Sequence, residues 1–295
     1  MSATDASSFR FVQLDVPGRL GLDDGRYLLR AAGAGEDDGE TVLVVQTIGA
    51  RPAGRPPRRR RRPRRADSQG APAEVPVTRL TVIPARTLAP DEAKRELDEL
   101  TADAAAAEDA VLEGLREANR VVRAHRIANQ DPYGHEIGRM TPIAVRVGFG
   151  TGGELADGGW TDAVDVPSPE RRRRRADALR PQERLAELLA GREPIDVCET
   201  LLLRARADVE ADRLREAALQ LGPGLEALLA ELPDRGGPGQ EEDLAALRDR
   251  RKAMSEAGRE ALRGDLSAER AAQVAETLHI CERVLRRRQA LRDSG

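Results

Sequence analysis

Aromatic side chains are scarce in this chain. Its six (Phe9, Phe11, Tyr27, Tyr133, Phe149 and Trp160) all lie before residue 161. The last 135 residues must therefore build a core from Leu, Ala, Val and Ile, and two cores of different composition are expected. Cysteine is nearly absent too: Cys198 and Cys281 stand far apart, each inside a helical pattern, which excludes a disulfide framework and predicts two thiols packed as small hydrophobes. Lysine is reduced to Lys94 and Lys252, so 46 of the 48 basic side chains are arginines, a bias that codon usage alone can produce. No apolar run approaches the roughly 20 residues that a membrane-spanning helix needs. The segment MSATDASSFRF has no basic stretch followed by an apolar one, so no secretory signal and a cytoplasmic location are expected.

What is present is a globular balance, 40% hydrophobic and 34% charged, in 295 residues, enough for two ordinary domains. FRFVQLDV (9–16) alternates apolar and polar positions with period two, the pattern of a half-buried strand. Residues 27–30, TVLVVQTI (41–48), VTRLTVI (77–83) and PIAVRVGFG (142–150) continue the strand signal. Between 90 and 129 the chain is helical, with Ala93, Leu97, Leu100, Ala104, Ala107 and Val111 at three- and four-residue steps. One continuous helix or a break near Thr101 both satisfy that pattern.

After residue 180 every apolar period is helical. Pro181 is expected to open a short helix through Leu185, Leu188 and Leu189 that Gly191 ends, and a second helix starts near Ile195. Gly222, Pro223 and Gly224 are expected to interrupt or kink the next, and longer helices are expected over about 240–263 and 268–292, the last capped by Ser267. The fold class is therefore α+β: a small N-terminal antiparallel β unit with a long helix, followed by an all-α bundle or set of helical hairpins. The predicted domains are 1–167, with a disordered Arg/Pro insertion over 51–76, an Arg-rich linker over 168–180, and a helical domain over 181–295.

Two arginine tracts dominate the charge pattern. Residues 51–65 carry nine arginines and no acid, and residues 171–175 carry five; without these fourteen the net charge of −3 becomes −17. Such tracts neutralise phosphates without reading sequence. The candidate nucleic-acid or polyanion contacts are Arg58, Arg59, Arg60, Arg61, Arg62, Arg64 and Arg65 with Arg171, Arg172, Arg173, Arg174 and Arg175. No aromatics are interleaved with them, which argues against base stacking.

The remaining motifs carry less chemistry. GFGTGG (148–153) fits a GxGxxG string after a strand, but ELADGGW reads as a turn rather than as the helix that a dinucleotide site requires, so a glycine-rich hairpin is expected. His125, Asp131, His135 and Glu136 gather around one turn at a spacing that matches no metal-ligand pattern. His279 and Cys281, two apart on a helix, point about 200° apart and cannot share a metal. Arg120 and His125 resemble the Arg-x4-6-His element of bundle-type ribonucleases, although Val121 stands where that element carries a polar residue. That resemblance implies ribonuclease activity with His125 as general base. No nucleophile elbow or paired-carboxylate motif appears, and no catalytic residue, metal or cofactor is assigned. The functional expectation is a non-enzymatic scaffold or protein-interaction module, using Ala/Leu surfaces of the C-terminal helices and of the central helix to bind a protein partner or a second copy. Nucleic-acid association through the arginine tracts and ribonuclease action are the alternatives.

Overall fold

The structure is a computed structural model that describes residues 7–30, 40–49, 75–168, 175–232 and 240–292. The chain divides into two compact units, Met1–Arg171 and Arg172–Gly295.

The first unit is built on a seven-stranded antiparallel sheet. Its strands are β1 (Ser8–Pro17), β2 (Gly25–Leu29), β3 (Thr41–Ile48), β4 (Val77–Pro84), β5 (Thr87–Leu88), β6 (Ala144–Thr151) and β7 (Asp162–Asp165), in the order β2-β3-β4-β1-β6-β7 with β5 beside the start of β1. The alternation in β1 sets the layers. Val12, Leu14 and Val16 face a core shared with Leu43, Leu80, Val82 and Val147, while Phe11 faces a smaller cluster of Val44, Ile83 and Leu155 on the opposite side. Pro76, at the end of the Arg/Pro insertion, accepts a hydrogen bond on its carbonyl from the Gly18 N–H at 2.7 Å.

The helical segment after β5 is broken. Asp103 is extended at φ −118°, and its carboxylate accepts from the Ala105 N–H, so α1 (Pro90–Ala102) ends and α2 (Ala104–Asn129) starts afresh. Ala107, Val111, Leu115, Ala118 and Val122 of α2 are buried against the sheet. Gly114 lets that helix come close: a β-carbon there would lie 2.7 Å from the Val12 side chain. The central helix therefore spends its small-residue face inside the first unit.

The second unit is all-helical: α4 (Arg175–Leu189), α5 (Val197–Glu210), α6 (Leu214–Glu231), α7 (Gln240–Ala261) and α8 (Ala268–Arg292). The chain is thus α+β, an antiparallel strand unit followed by helices. Two boundaries differ from the sequence reading. The helix α4 begins at Arg175, so Pro181 lies within it and residues 175–180 are helix rather than linker. And α6 runs through Gly222-Pro223-Gly224 without interruption, because the lost N–H of Pro223 removes a single bond while Gly224 seats tightly on Leu201 and Leu202 of α5. The core, from Cys198, Leu202, Leu221, Leu225, Leu247, Met254, Val274, Leu278 and Val284, contains no aromatic ring. Gly191, at φ +69°, closes α4, and the Ser267 hydroxyl caps α8 by accepting from the Arg270 N–H at 3.2 Å. Both thiols are buried and free, and their pKa values are pushed up to about 12: Cys198 by burial and then by its hydrogen bond to Glu231, Cys281 mainly by burial. No described helix is long and apolar enough to cross a membrane.

Candidate interaction surface

Most residues singled out from sequence are placed away from any common site. Arg58–Arg65 and Arg171–Arg174 lie outside the described residues, and of the two tracts only the backbone of Arg175, as the first residue of α4, falls within them. Arg120 donates to Glu117 at 2.6 Å and to the Arg30 carbonyl at 2.7 Å. Five positions along one helix set His125 about 140° away from it; there the imidazole lies beside Asn129 and against Gly21. Asp131 accepts from the Tyr133 N–H at 2.9 Å, and among the described residues no group of three His, Cys, Asp or Glu side chains is arranged to hold a metal.

GFGTGG leads into an antiparallel β6–β7 pair, the expected hairpin, but its connection is not a plain turn. A one-turn helix, α3 (Gly152–Ala156), starts directly after β6, because Thr151 and Glu154 form a capping box. The dinucleotide reading still fails on topology: β6 and β7, on either side of α3, are antiparallel, and the Glu154 carboxylate already accepts from the Thr151 N–H at the helix start.

The α3–β7 connection lies over the outer face of the sheet and buries a polar network there. Gln13 is fully buried; its amide donates to the Thr81 hydroxyl and to the Gly158 carbonyl, both at 3.1 Å. Asp15 accepts a two-pronged contact from Arg79 at 2.7 and 2.9 Å and a third from Arg146 at 3.2 Å. Arg146 also pairs with Asp165 and lies 5.2 Å from the centre of the Trp160 ring. Burial raises the Asp15 carboxyl, but Arg79 and then Arg146 outweigh it and hold the group below its ordinary value. Every member of this set has its partner, so its effect is to order the sheet. On the helix side of the same sheet, a cavity of about 270 Å³ is lined by Val12, Val82, Leu88 and Ala110, with Arg10, Glu96 and Glu113 among its charged groups.

Both units leave apolar side chains exposed, the first at Ile127, Tyr133, Met140 and Ile143 among others, the second most densely between Leu185 and Leu203. Helices α5 to α8 are joined by arginine–carboxylate pairs, Arg206 with Glu282, Arg251 with Glu226 and Arg283 with Asp243 among them. By contrast, α4 shares almost no contact with another element. Its anchor is Arg184, which donates to both oxygens of Glu199 at 2.7 Å and to Glu193 at 3.1 Å. Glu199 in turn accepts from Arg288 at 2.8 Å, tying that anchor to α8. The start of α5 is held from the end of α6, where the Glu231 carboxylate accepts from the Val197 and Cys198 N–H groups at 3.1 Å.

Along α4 Leu188 is half-buried, while Leu185 is 45% and Leu189 79% exposed, followed by Ile195 at 70%, Val197 at 58% and Leu203 at 71%. Next to it, a small groove of about 180 Å³ is lined by Leu202, Leu203 and Leu285 together with Glu199, Glu282, Arg184, Arg286 and Gln289. The amphipathic spacing of 185, 188 and 189 is legible in the sequence; the absence of a cover is not. Comparison with family models, curated proteins and solved structures gave no match.

Proposed function

We propose that this protein is a non-enzymatic interaction module whose helical unit binds an amphipathic helix along α4 and the groove between α5 and α8. The observation that carries the reading is the run of exposed aliphatic side chains between Leu185 and Leu203, beside a small groove where three leucines alternate with charged side chains. Helix-in-groove recognition uses such surfaces, with apolar anchors at i, i+3, i+4 and i+7. A photoreactive residue at position 189 is expected to crosslink a partner polypeptide, with Leu185→Glu and Leu203→Glu abolishing the adduct. One at exposed Lys252 is expected to give none. Equal labelling at both positions, or an adduct indifferent to the two substitutions, overturns the reading.

A second reading, nucleic-acid association, is favoured by composition alone: fourteen arginines concentrated in two acid-free tracts of an otherwise acidic chain. Phosphate neutralisation then gives binding that weakens steeply with salt, the logarithmic slope changing by about 0.9 for each phosphate contacted on duplex DNA. Fluorescence anisotropy with generic DNA and RNA over a salt series checks it. Binding is expected to vanish on removal of residues 55–65 and 171–175, and binding unchanged by that deletion refutes the tract mechanism.

A further inference from the structure

We infer that the cavity between the sheet and the α1–α2 pair of the first unit binds a free α-amino acid with a large apolar side chain, its ammonium held by Glu96 and Glu113 and its carboxylate by Arg10. The site belongs to the unit that the interaction surface does not use, and it stands independently of that reading. Three observations support it.

The first is where the charges stand. In β1 the period-two row that turns Val12, Leu14 and Val16 to the helix side begins with Arg10, a half-buried cation at the rim of the core. Glu96 follows buried Ala93 by three residues and precedes buried Leu100 by four, on the core-facing side of α1, and Glu113 lies one turn beyond buried Ala110 on α2. All three line the cavity, and none forms a hydrogen bond or ion pair among the described residues. The other two charged groups there are already held, Arg86 donating to Glu92 and Glu117 accepting from Arg120. One cation and two carboxylates are thus left facing the same space without pairing with one another.

The second is the floor. Val12, Val82, Leu88 and Ala110 are buried core residues, so the inner part of the cavity is hydrocarbon and the charges stand around it. The third is size and access. An apolar cavity of about 150 Å³ accommodates benzene. At about 270 Å³ this one has room for a phenyl or branched aliphatic group with a short polar head beyond it. A more open recess of about 490 Å³ shares Arg10, Glu96, Ala110 and Glu113 with it and gives the ligand a way in. A ligand that meets an unpaired cation and unpaired carboxylates at once carries both signs itself, and the floor asks for a hydrocarbon side chain. An α-amino acid joins all three on adjacent atoms: its carboxylate suits the two-pronged contact of a guanidinium, and its ammonium has three donors to share between two glutamates. A plain carboxylic acid would set its charge against Glu96 and Glu113, and a plain amine would set its charge against Arg10.

Isothermal titration of the full chain with L-phenylalanine and with L-leucine tests this. At least one of them is expected to bind with a dissociation constant below about 1 mM, within reach of a ligand of this size. Glycine lacks the apolar group, 3-phenylpropionate the ammonium and phenethylamine the carboxylate, and each is expected to bind at least about tenfold more weakly. Arg10→Gln, and Glu96→Gln together with Glu113→Gln, are each expected to weaken the amino acid by about tenfold or more with an unchanged circular dichroism spectrum, because these side chains hold nothing else together. Arg10→Gln should also narrow the gap between phenylalanine and phenethylamine, which a general loss of structure would not do. Ala110→Met fills the floor and is expected to abolish binding; the glutamine variants keep the test independent of how well that variant folds. No heat from either amino acid up to about 10 mM overturns the inference. So does equal binding of phenylalanine and either single-charge analogue, or an affinity untouched by the glutamine variants.

Discussion

The two units of this protein bury their apolar surface with different side chains. The first holds all six aromatics and shields both faces of its sheet, one with α1 and α2, the other with the α3–β7 connection and a closed network of Gln13, Asp15, Arg79 and Arg146. The second has no aromatic ring, closes its core with small and branched aliphatics, and ties its helices together with arginine–carboxylate pairs. Core strength there comes from aliphatic packing, with arginine–carboxylate pairs between the helices.

The largest effect should come from breaking the aliphatic core. Leu225 is 1% exposed at the centre of the bundle, and Leu225→Ala removes its side chain from a packing that has no large ring to relax into the space. A loss of about 3 kcal/mol is expected, read as a lowered midpoint of the helical circular dichroism signal in urea. A loss under ~1 kcal/mol would mean that the second core is loosely packed, and the contrast between the units would fail.

In the sheet the comparable weak point is steric. A β-carbon on Gly148 would meet the Asp162 carbonyl oxygen at 2.1 Å and the Ala163 Cα at 2.6 Å, so the clash is with backbone that no rotamer change relieves. Gly148→Ala should cost about 2 to 3 kcal/mol by forcing β7 away from β6, and the emission of Trp160, the only tryptophan, should shift to the red as that edge opens. An unchanged spectrum and midpoint would show that β7 does not pin the connection over the outer face.

These positions also show how much of the molecule is written in its sequence. The strand pattern FRFVQLDV predicts both the strand and its inner residues Val12, Leu14 and Val16. The same alternation assigns Gln13 and Asp15 to solvent. They are buried because the connection folding over them comes from more than 140 residues away, at Gly158, and a local pattern cannot register that. Gly222-Pro223-Gly224 reads as a break by residue preference, yet tertiary contact with Leu201 and Leu202 carries α6 through it. The leucines of α4 read as a short helix, which α4 contains, and two of them, Leu185 and Leu189, are exposed. Amphipathic spacing shows which face needs cover and says nothing of which chain provides it. The arginine tracts are plain in composition, and nothing in the fold bears on them because, apart from the backbone of Arg175, they fall outside the described residues.

The polar network predicts an intermediate effect with a definite pH dependence. Asp15→Asn leaves Arg79 and Arg146 without the charge that both face, at side chains only 22% exposed. About 2 kcal/mol is expected, less than for a fully buried pair because water still reaches the guanidiniums. Since the folded-state carboxyl lies below its ordinary value of 3.8, the stability it contributes is fully present above that value and is lost as pH falls through the lower folded one. The difference between wild type and Asp15→Asn in urea midpoints should therefore be constant from pH 5 to 7 and shrink below about pH 4. A difference that instead grows on acidification would reverse the sign and remove the network as the reason the outer face is ordered.

The smallest effect separates ion pairs that hold helices from those that decorate them. Arg251 and Glu226 join α7 to α6 with two hydrogen bonds, but their side chains are 54% and 50% exposed, so screening and side-chain entropy offset most of the attraction. Arg251→Gln should lower the urea midpoint only slightly, and that small loss should fade in molar salt. Asp243 is 9% exposed and takes both Arg283 and Arg287, so Asp243→Asn at the same concentrations should cost several times more and keep most of its effect in salt. Equal costs at the two sites would mean that geometry rather than burial sets the worth of these contacts. The helical unit would then owe its shape to its arginines more than to its leucines.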